Sequence, residues 1–119
     1  MIINEDKLDL CKDEIKQLVR YLESVYGKII VTSGYRGKEY NRKVGGAKHS
    51  AHITGEAVDL YVYDTSPIKI AAKALEMYLK FPVKGIGLDV YKGYVHLDIR
   101  DRGVNGVTTW VYGRSGRVA

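Results

Sequence analysis

Two stretches of the chain decide its fold, His49-Ser50-Ala51-His52-Ile53-Thr54-Gly55-Glu56-Ala57-Val58-Asp59 at 49–59 and Tyr94-Val95-His96-Leu97-Asp98 at 94–98. The first carries His52 and Asp59, seven residues apart, and the second adds His96. Imidazole and carboxylate groups bind zinc, and a catalytic zinc site uses three protein ligands and leaves one position open. The two stretches therefore indicate a split metal site.

The spacing of the first stretch predicts a loop that enters a strand. Seven residues exceed the i, i+4 spacing of a helical ligand pair, and Gly55 supplies the turn before the strand. Successive side chains of a strand point to opposite faces. The aliphatic positions fall on one face of each strand: Val58, Leu60, Val62, Val95, Leu97 and Ile99. Side by side in one sheet, the strands would bring Asp59 and His96 together, with His52 arriving from the loop.

A tight turn at Lys92-Gly93 would join the second stretch to the strand before it. In a two-residue hairpin of this register, Asp89 lies directly across from His96. This register would place Asp89, His96 and Asp98 on one patch of the sheet.

The remaining patterns predict an α+β domain, with helices packed on one face of a central, largely antiparallel sheet. An amphipathic helix is predicted from Lys7 to Tyr26, ended by Gly27, and a second one from the Ser66 cap and Pro67 to about residues 80–82. β-rich segments predict the strands 28–32, 57–63, 86–91, 94–100 and 106–112.

Composition fits a single domain over residues 1–119. The lone cysteine, Cys11, falls on the apolar stripe of the first helix with Ile15 and Val25, so we expect it to be buried. The net charge of +5 favours an anionic partner, such as nucleic acid or an acidic cell-wall polymer. The tyrosines are scattered and no recognition motif is present, so nucleic acid is the less favoured partner.

No signal peptide and no transmembrane run are visible in the sequence. The chain is therefore expected to be made in the cytoplasm.

A family resemblance adds to this interpretation. It is carried by the following residues: Ser33-Gly34-Tyr35-Arg36, Asn41, Gly45-Gly46, Ser50-x-His52-x-x-Gly55-x-Ala57-x-Asp59, Gly85-Ile86-Gly87 and Val95-His96-Leu97-Asp98. In this order they resemble the zinc D-Ala-D-Ala carboxypeptidase family of peptidoglycan peptidases, whose fold the hedgehog signalling domain shares. The resemblance runs from about Val31 to Asp98.

The resemblance implies a role for several residues. His52, Asp59 and His96 match the zinc ligands, and Arg36 matches the arginine that contacts the substrate and the developing oxyanion. Ser50 matches a small polar residue that lines the cleft. Outside these roles, Tyr35 and Asn41 are expected to support the arginine loop, and His49 to be a neighbour without a ligand role.

One position departs from the family pattern. Many members carry an acidic general base three positions before the last zinc histidine, where this chain has Gly93. Asp98, which fits a His-x-Asp variant, or Asp89 is expected to supply that carboxylate. The alternative role of Asp98 is to orient the imidazole of His96 or to pair with Arg100.

The implied activity is zinc-dependent cleavage of peptidoglycan stem peptides by metal-activated water, as a D,D- or L,D-type carboxypeptidase or endopeptidase acting on the bacterial cell wall. A small enzyme without a wall-binding module fits a phage lysis or tail-associated origin. Two alternatives stay open, a non-catalytic zinc-containing module that binds cell wall or protein, and a basic nucleic-acid-binding domain.

Overall fold

The structure is a computed structural model that describes residues 1–118. Its strands are β1 Ile2–Ile3, β2 Ile29–Ser33, β3 Ala57–Tyr61, β4 Gly85–Asp89, β5 Tyr94–Asp98 and β6 Thr108–Val111. Its helices are a 3-10 turn at Glu5–Leu8, α1 Asp13–Tyr26, α2 Lys38–Lys43 and α3 Pro67–Glu76. The five predicted strands all exist, with bounds that differ from the prediction by at most two residues. The short elements β1 and α2 were not predicted.

The six strands form one mixed sheet in the order β1-β2-β3-β5-β4-β6. The three inner pairings are antiparallel, whereas β1–β2 and β4–β6 at the two edges are parallel. The α+β class agrees with the prediction, but the sheet is mixed instead of largely antiparallel. The difference lies in the edge strands. β1 reaches β2 through the crossover helix α1, and a parallel pair always requires such a long connection.

The first helix begins later than predicted. The sequence pattern predicts a helix from Lys7, but α1 begins only at Asp13. The reason is a tertiary hydrogen bond, because the backbone N–H of Lys12 donates to the Gly55 carbonyl over 2.8 Å and holds Lys12 in an extended conformation. The segment before α1 is thereby fixed against the turn that precedes β3.

The two long helices and one face of the sheet enclose the core. Its fully buried side chains include Ile15, Leu18, Leu22, Ile70, Ala74, Val58, Leu60, Val95 and Leu97. Cys11 is buried as predicted, whereas Val25, expected on the same stripe, is 41% exposed. No helix within residues 1–118 combines the length and apolar character needed to cross a membrane.

The second helix begins as predicted and ends early. The Ser66 hydroxyl accepts the N–H of Ile68 over 3.3 Å, and Pro67 is the first helical residue. The last helical residue is Glu76, before the predicted end at 80–82. This helix and α1 occupy the same face of the sheet, so the opposite face is left for the polar side chains of β3 and β5.

Candidate metal centre and its cleft

Strand register brings two of the candidate ligands together. β3 and β5 are antiparallel neighbours, and Asp59 pairs directly with His96, which confirms the predicted adjacency. His52 reaches the same place from the loop before β3. One ligand atom from each of the three side chains lies within 4.8 Å of the others, and all three residues are buried.

His52 is held through its outer ring nitrogen. Nδ1 lies 2.7 Å from the backbone carbonyl of Gly34, which can only accept, so Nδ1–H donates and Nε2 faces Asp59 Oδ1 at 3.1 Å. Gly34 must be glycine because a Cβ there would collide with the carbonyl of Lys7. The absence of a side chain at Gly34 therefore lets this segment pack against Lys7, where the Gly34 carbonyl can accept from His52.

His96 is held in the same way by a carboxylate. Its Nδ1 lies 2.9 Å from Asp59 Oδ1, and its Nε2–H donates to Asp98 Oδ2 over 2.7 Å. Both histidines thus turn one nitrogen toward Asp59 and have the other bonded to a protein acceptor. Metal-binding histidines are held in this way by a carboxylate or a backbone carbonyl.

The chemistry of these donors fits a cation. Asp59 Oδ1 lies beside two ring nitrogens, and a carboxylate oxygen facing nitrogen lone pairs needs a proton or a metal ion between them. Without an ion, a proton on His96 Nδ1 occupies this place. Burial lowers the pKa of His96, but its hydrogen bonds to Asp59 and Asp98 outweigh burial and raise that pKa to about 9. Burial raises the pKa of Asp59, yet the hydrogen bonds from His52 and His96 hold it well below its ordinary value.

The guanidinium of Arg36 borders the cluster and is held on three sides. Nε donates to Ser33 Oγ over 2.9 Å, and Nη1 and Nη2 donate to Asn41 Oδ1 and Asp59 Oδ2, each over 3.3 Å. Asn41 therefore supports the arginine, as expected. A Cβ at Gly46 would overlap the side-chain oxygen of Asn41, which explains the need for glycine there.

Asp98 lies on the far side of the His96 ring from Asp59. It is fully buried, and it pairs with Arg102 through two hydrogen bonds of 2.7 and 2.9 Å. Burial raises the pKa of Asp98, but the hydrogen bonds to Arg102 and His96 hold it well below its ordinary value. This position favours the orienting role over that of a general base. The predicted partner was Arg100, whose backbone N–H, and not its guanidinium, donates to Asp98.

The predicted register of the β4–β5 hairpin is wrong. Four residues, 90–93, connect the strands, and Asp89 pairs with Tyr94 instead of lying across from His96. The carboxylate of Asp89 caps this turn by accepting two of its backbone N–H groups, at 2.8 and 3.1 Å. Gly93 closes the turn at a φ of +81°, a conformation that favours glycine.

A cleft of about 1000 Å³ opens above the cluster. Its lining includes five cationic side chains: Arg36, Lys92, Arg100, Arg102 and Arg117. Within residues 1–118 the lining has two carboxylates, Asp59 and Asp98, and both are bonded to histidine and arginine. Ser50 lies in the lining, and its hydroxyl accepts the N–H of His52 over 3.2 Å. His49 also lies there but contributes no atom to the cluster.

An aromatic wall that the sequence did not reveal covers one side of the cluster. The Trp110 ring lies 5.2 Å from the His96 ring, and Tyr94 and Tyr112 follow at 5.7 Å from each other. Trp110 fits because its strand neighbour is Gly87, where a Cβ would lie 2.5 Å from the indole nitrogen. The sequence feature that could have indicated this wall is the alternation of glycines in Gly85-Ile86-Gly87, because it leaves one face of β4 without side chains at these two positions.

Fold and site together define an α+β domain whose three ligand-type side chains could hold one metal ion at the floor of an open cleft. The sequence model of the family described as Peptidase M15 matches residues 3–98. The chain therefore belongs to this family of zinc D-Ala-D-Ala carboxypeptidases. A search among curated proteins finds no match. The family match spans both deciding stretches and ends at Asp98.

Proposed function

We propose that the protein is a zinc-dependent peptidase that cleaves peptidoglycan stem peptides, as a carboxypeptidase or an endopeptidase. One observation carries the proposal. His52 Nε2, Asp59 Oδ1 and His96 Nδ1 converge at the floor of an open cleft, while the second nitrogen of each histidine is already bonded to the protein. Three ligands beside open space are the pattern of a catalytic zinc site, whereas structural sites are closed by a fourth ligand.

Each residue of the site has a proposed role. Zinc bound there would polarise the scissile carbonyl and lower the pKa of water. Arg36, braced by Ser33 and Asn41, would hold a substrate carboxylate or stabilise the oxyanion without having to reorganise. Ser50 lines the cleft for the substrate, and Asp98 orients His96.

The charge of the cleft supports an anionic peptide as the substrate. Five cationic side chains line it, and both lining carboxylates are engaged in the cluster. Stem peptides carry free carboxylates, so they complement this surface. Action on the bacterial cell wall follows from that substrate, and delivery by a phage stays a prediction from the sequence.

A second candidate function is a non-catalytic zinc module that binds cell wall or protein. The observation in its favour concerns proton transfer, because Asp59 and Asp98 are both bonded and the usual acidic position is Gly93. A peptidase benefits from a positioned base, typically by about 10²–10⁴-fold in rate. A binding module has no such requirement.

The test compares two histidines of the same loop. Zinc content and hydrolysis of purified peptidoglycan are measured for the wild type, His52→Ala and His49→Ala, with and without a chelator. We expect one zinc per wild-type chain and cleavage that the chelator abolishes. His52→Ala should lose zinc and activity, whereas His49→Ala should keep its zinc, because His49 contributes no atom to the cluster.

Each result separates the candidates. Zinc binding without cleavage of peptidoglycan or of soluble stem peptides would favour the binding module. Absence of zinc from the wild type would contradict both functions, and equal zinc loss in the two variants would contradict the assigned ligand set.

A further inference from the structure

We propose that Arg102 and Trp110, together with Asp98, fix the orientation of His96 in the metal centre. These three residues, Asp98, Arg102 and Trp110, are called the clamp. Arg102 and Trp110 lie beyond residue 98, where the family match ends. The inference rests on the proposed metal site, and it assigns Arg102 and Trp110 as positioning residues.

The first half of the clamp is a charged bridge. Asp98 is fully buried, and its Oδ2 accepts both from His96 Nε2 at 2.7 Å and from Arg102 Nη2 at 2.9 Å. Its Oδ1 accepts from Arg102 Nη1 at 2.7 Å. The planar Arg102 guanidinium forms two parallel hydrogen bonds with the Asp98 carboxylate. These bonds fix the orientation of the carboxylate and favour its ionised form.

The second half is a tilted contact between two rings, with a guanidinium near the indole. The indole of Trp110 lies 5.2 Å from the His96 ring at an angle of 49°. The guanidinium of Arg102 lies 5.5 Å from the same indole, on a path that leads back to Asp98. Each of the four side chains thus contacts the next, and His96 is held both by the hydrogen bond from its Nε2 to Asp98 and by the indole beside its ring. Rotation of the imidazole would break one of these contacts.

The neighbouring strand is shaped for these contacts. Gly85 pairs with Asp98 and Gly87 pairs with His96. A Cβ at Gly85 would overlap the Asp98 carboxylate, and one at Gly87 would lie 2.5 Å from the indole nitrogen of Trp110. Both glycines of the family motif therefore leave space for members of the clamp.

Loss of the clamp should weaken metal binding through the orientation of His96. The partners that orient metal ligands typically account for about 10–100-fold in affinity. We expect Arg102→Met to weaken zinc affinity by about that factor. Arg102→Lys should fall between this variant and the wild type, because an ammonium keeps the charge but cannot form the two parallel bonds. Trp110→Phe should weaken affinity less than Arg102→Met, since it keeps an aromatic face.

The measurement is zinc affinity by competition with a chromophoric chelator, together with the visible absorption spectrum after Co²⁺ substitution. The matched control is Arg100→Met. Arg100 lies in the same segment and the same cleft, but its guanidinium donates to the His49 carbonyl and not to Asp98. Its zinc affinity and Co²⁺ spectrum should equal those of the wild type.

A folding control accompanies these variants, because removal of one partner from a buried ion pair also destabilises a protein. Chemical unfolding of each metal-free variant reports that loss separately. The double variant Asp98→Asn with Arg102→Met removes both charges and keeps a hydrogen-bonding side chain next to His96. If the clamp residues only stabilise the fold, their variants will change the unfolding midpoint, but the folded variants will keep the wild-type Co²⁺ spectrum and zinc affinity.

The outcomes distinguish this inference from the proposed function. Unchanged zinc affinity and an unchanged Co²⁺ spectrum in folded Arg102→Met would overturn the clamp while leaving the peptidase proposal intact. A wild type that binds zinc but cleaves no peptide would overturn the peptidase proposal. In that case the 10–100-fold affinity loss in Arg102→Met would still establish the clamp.

Discussion

Asp59 uses its two carboxylate oxygens for different partners. Oδ1 lies beside both histidines, and Oδ2 accepts from Arg36. The side chain is therefore both a candidate metal ligand and the anchor of the nearest cation. This bond and the bonds to Ser33 and Asn41 hold the Arg36 guanidinium beside the three candidate ligands, so its positive charge has a fixed position in the cleft.

Arg36→Ala should abolish most peptide cleavage while the protein keeps its zinc. Loss of one such oxyanion stabiliser lowers kcat by about 10²–10³-fold, and none of the three candidate ligands is removed. Steady-state hydrolysis of a stem peptide and zinc content are the measurements. The control is Arg42→Ala, because Arg42 is exposed and pairs with Glu39 on α2. A wild-type rate in Arg36→Ala would show that the arginine has no part in the reaction.

Gly85→Ala tests the space that β4 leaves for Asp98. The added methyl group would overlap the Asp98 carboxylate, and overpacking of this kind costs about 1–3 kcal/mol in the free energy of unfolding. Gly37→Ala is the matched control, since a Cβ there meets no atom within 4 Å and the φ of Gly37 is an ordinary −65°. Its effect should stay within about 0.5 kcal/mol. Equal stability of both variants in urea unfolding would refute the overlap.

Two elements form a cationic rim at one end of the cleft. Lys92 belongs to the turn between β4 and β5, and Arg117 belongs to the hairpin that the Tyr112–Val118 bridge closes. Among residues 1–118 neither side chain has a carboxylate partner. The two cations are therefore available to a carboxylate of the substrate.

Lys92→Ala and Arg117→Ala should each raise KM for a peptide with a free carboxylate by up to about 5-fold, with kcat unchanged. Exposed ion pairs contribute about 0.2–1 kcal/mol, and a change in KM alone reports lost ground-state binding. The same peptide with its carboxylate amidated should show no such effect. Lys69→Ala is the control, because Lys69 lies on α3, across the sheet from the cleft. Equal KM changes for both peptides would contradict recognition of charge by the rim.

The stability of the whole metal-free molecule should depend on pH through this cluster. The pKa of His96 is raised from 6.5 to about 9, so its stabilisation is complete below pH 6.5 and is lost as pH rises to about 9. The pKa values of Asp59 and Asp98 lie below the ordinary 3.8, so their stabilisation is present above that pH and is lost as pH falls. The metal-free protein should be most stable between pH 3.8 and 6.5.

Urea unfolding in the presence of a chelator measures this dependence. The urea concentration at the midpoint should decrease as the pH is raised from 6.5 to about 9, and His96→Gln should remove most of that decrease. His49→Gln is the matched control and should retain it. A midpoint that is flat over this range in the wild type would contradict the pairing of protonated His96 with the two carboxylates.

Strand alternation was enough to predict that Asp59 and His96 lie on the polar faces of their strands, because the side-chain period is a local property. The register of Asp89 was missed because the turn has four residues and is capped by the Asp89 side chain itself. The early helix start was wrong because a tertiary bond from Lys12 to Gly55 overrides helical periodicity. Arg102 and Trp110 were missed because their positions depend on the path of residues 99–107, which carries no repeating pattern.

The parallel pairing of β6 with β4 has a consequence for how the metal centre would respond to proteolysis. β6 is an edge strand, and its Trp110 follows all three candidate ligands in the chain. With the clamp in its proposed role, cleavage between β5 and β6 followed by loss of β6 would remove none of the three ligands but would speed the release of zinc. The outermost strand of the sheet would then govern how long an ion is retained, while the inner strands govern whether one is bound.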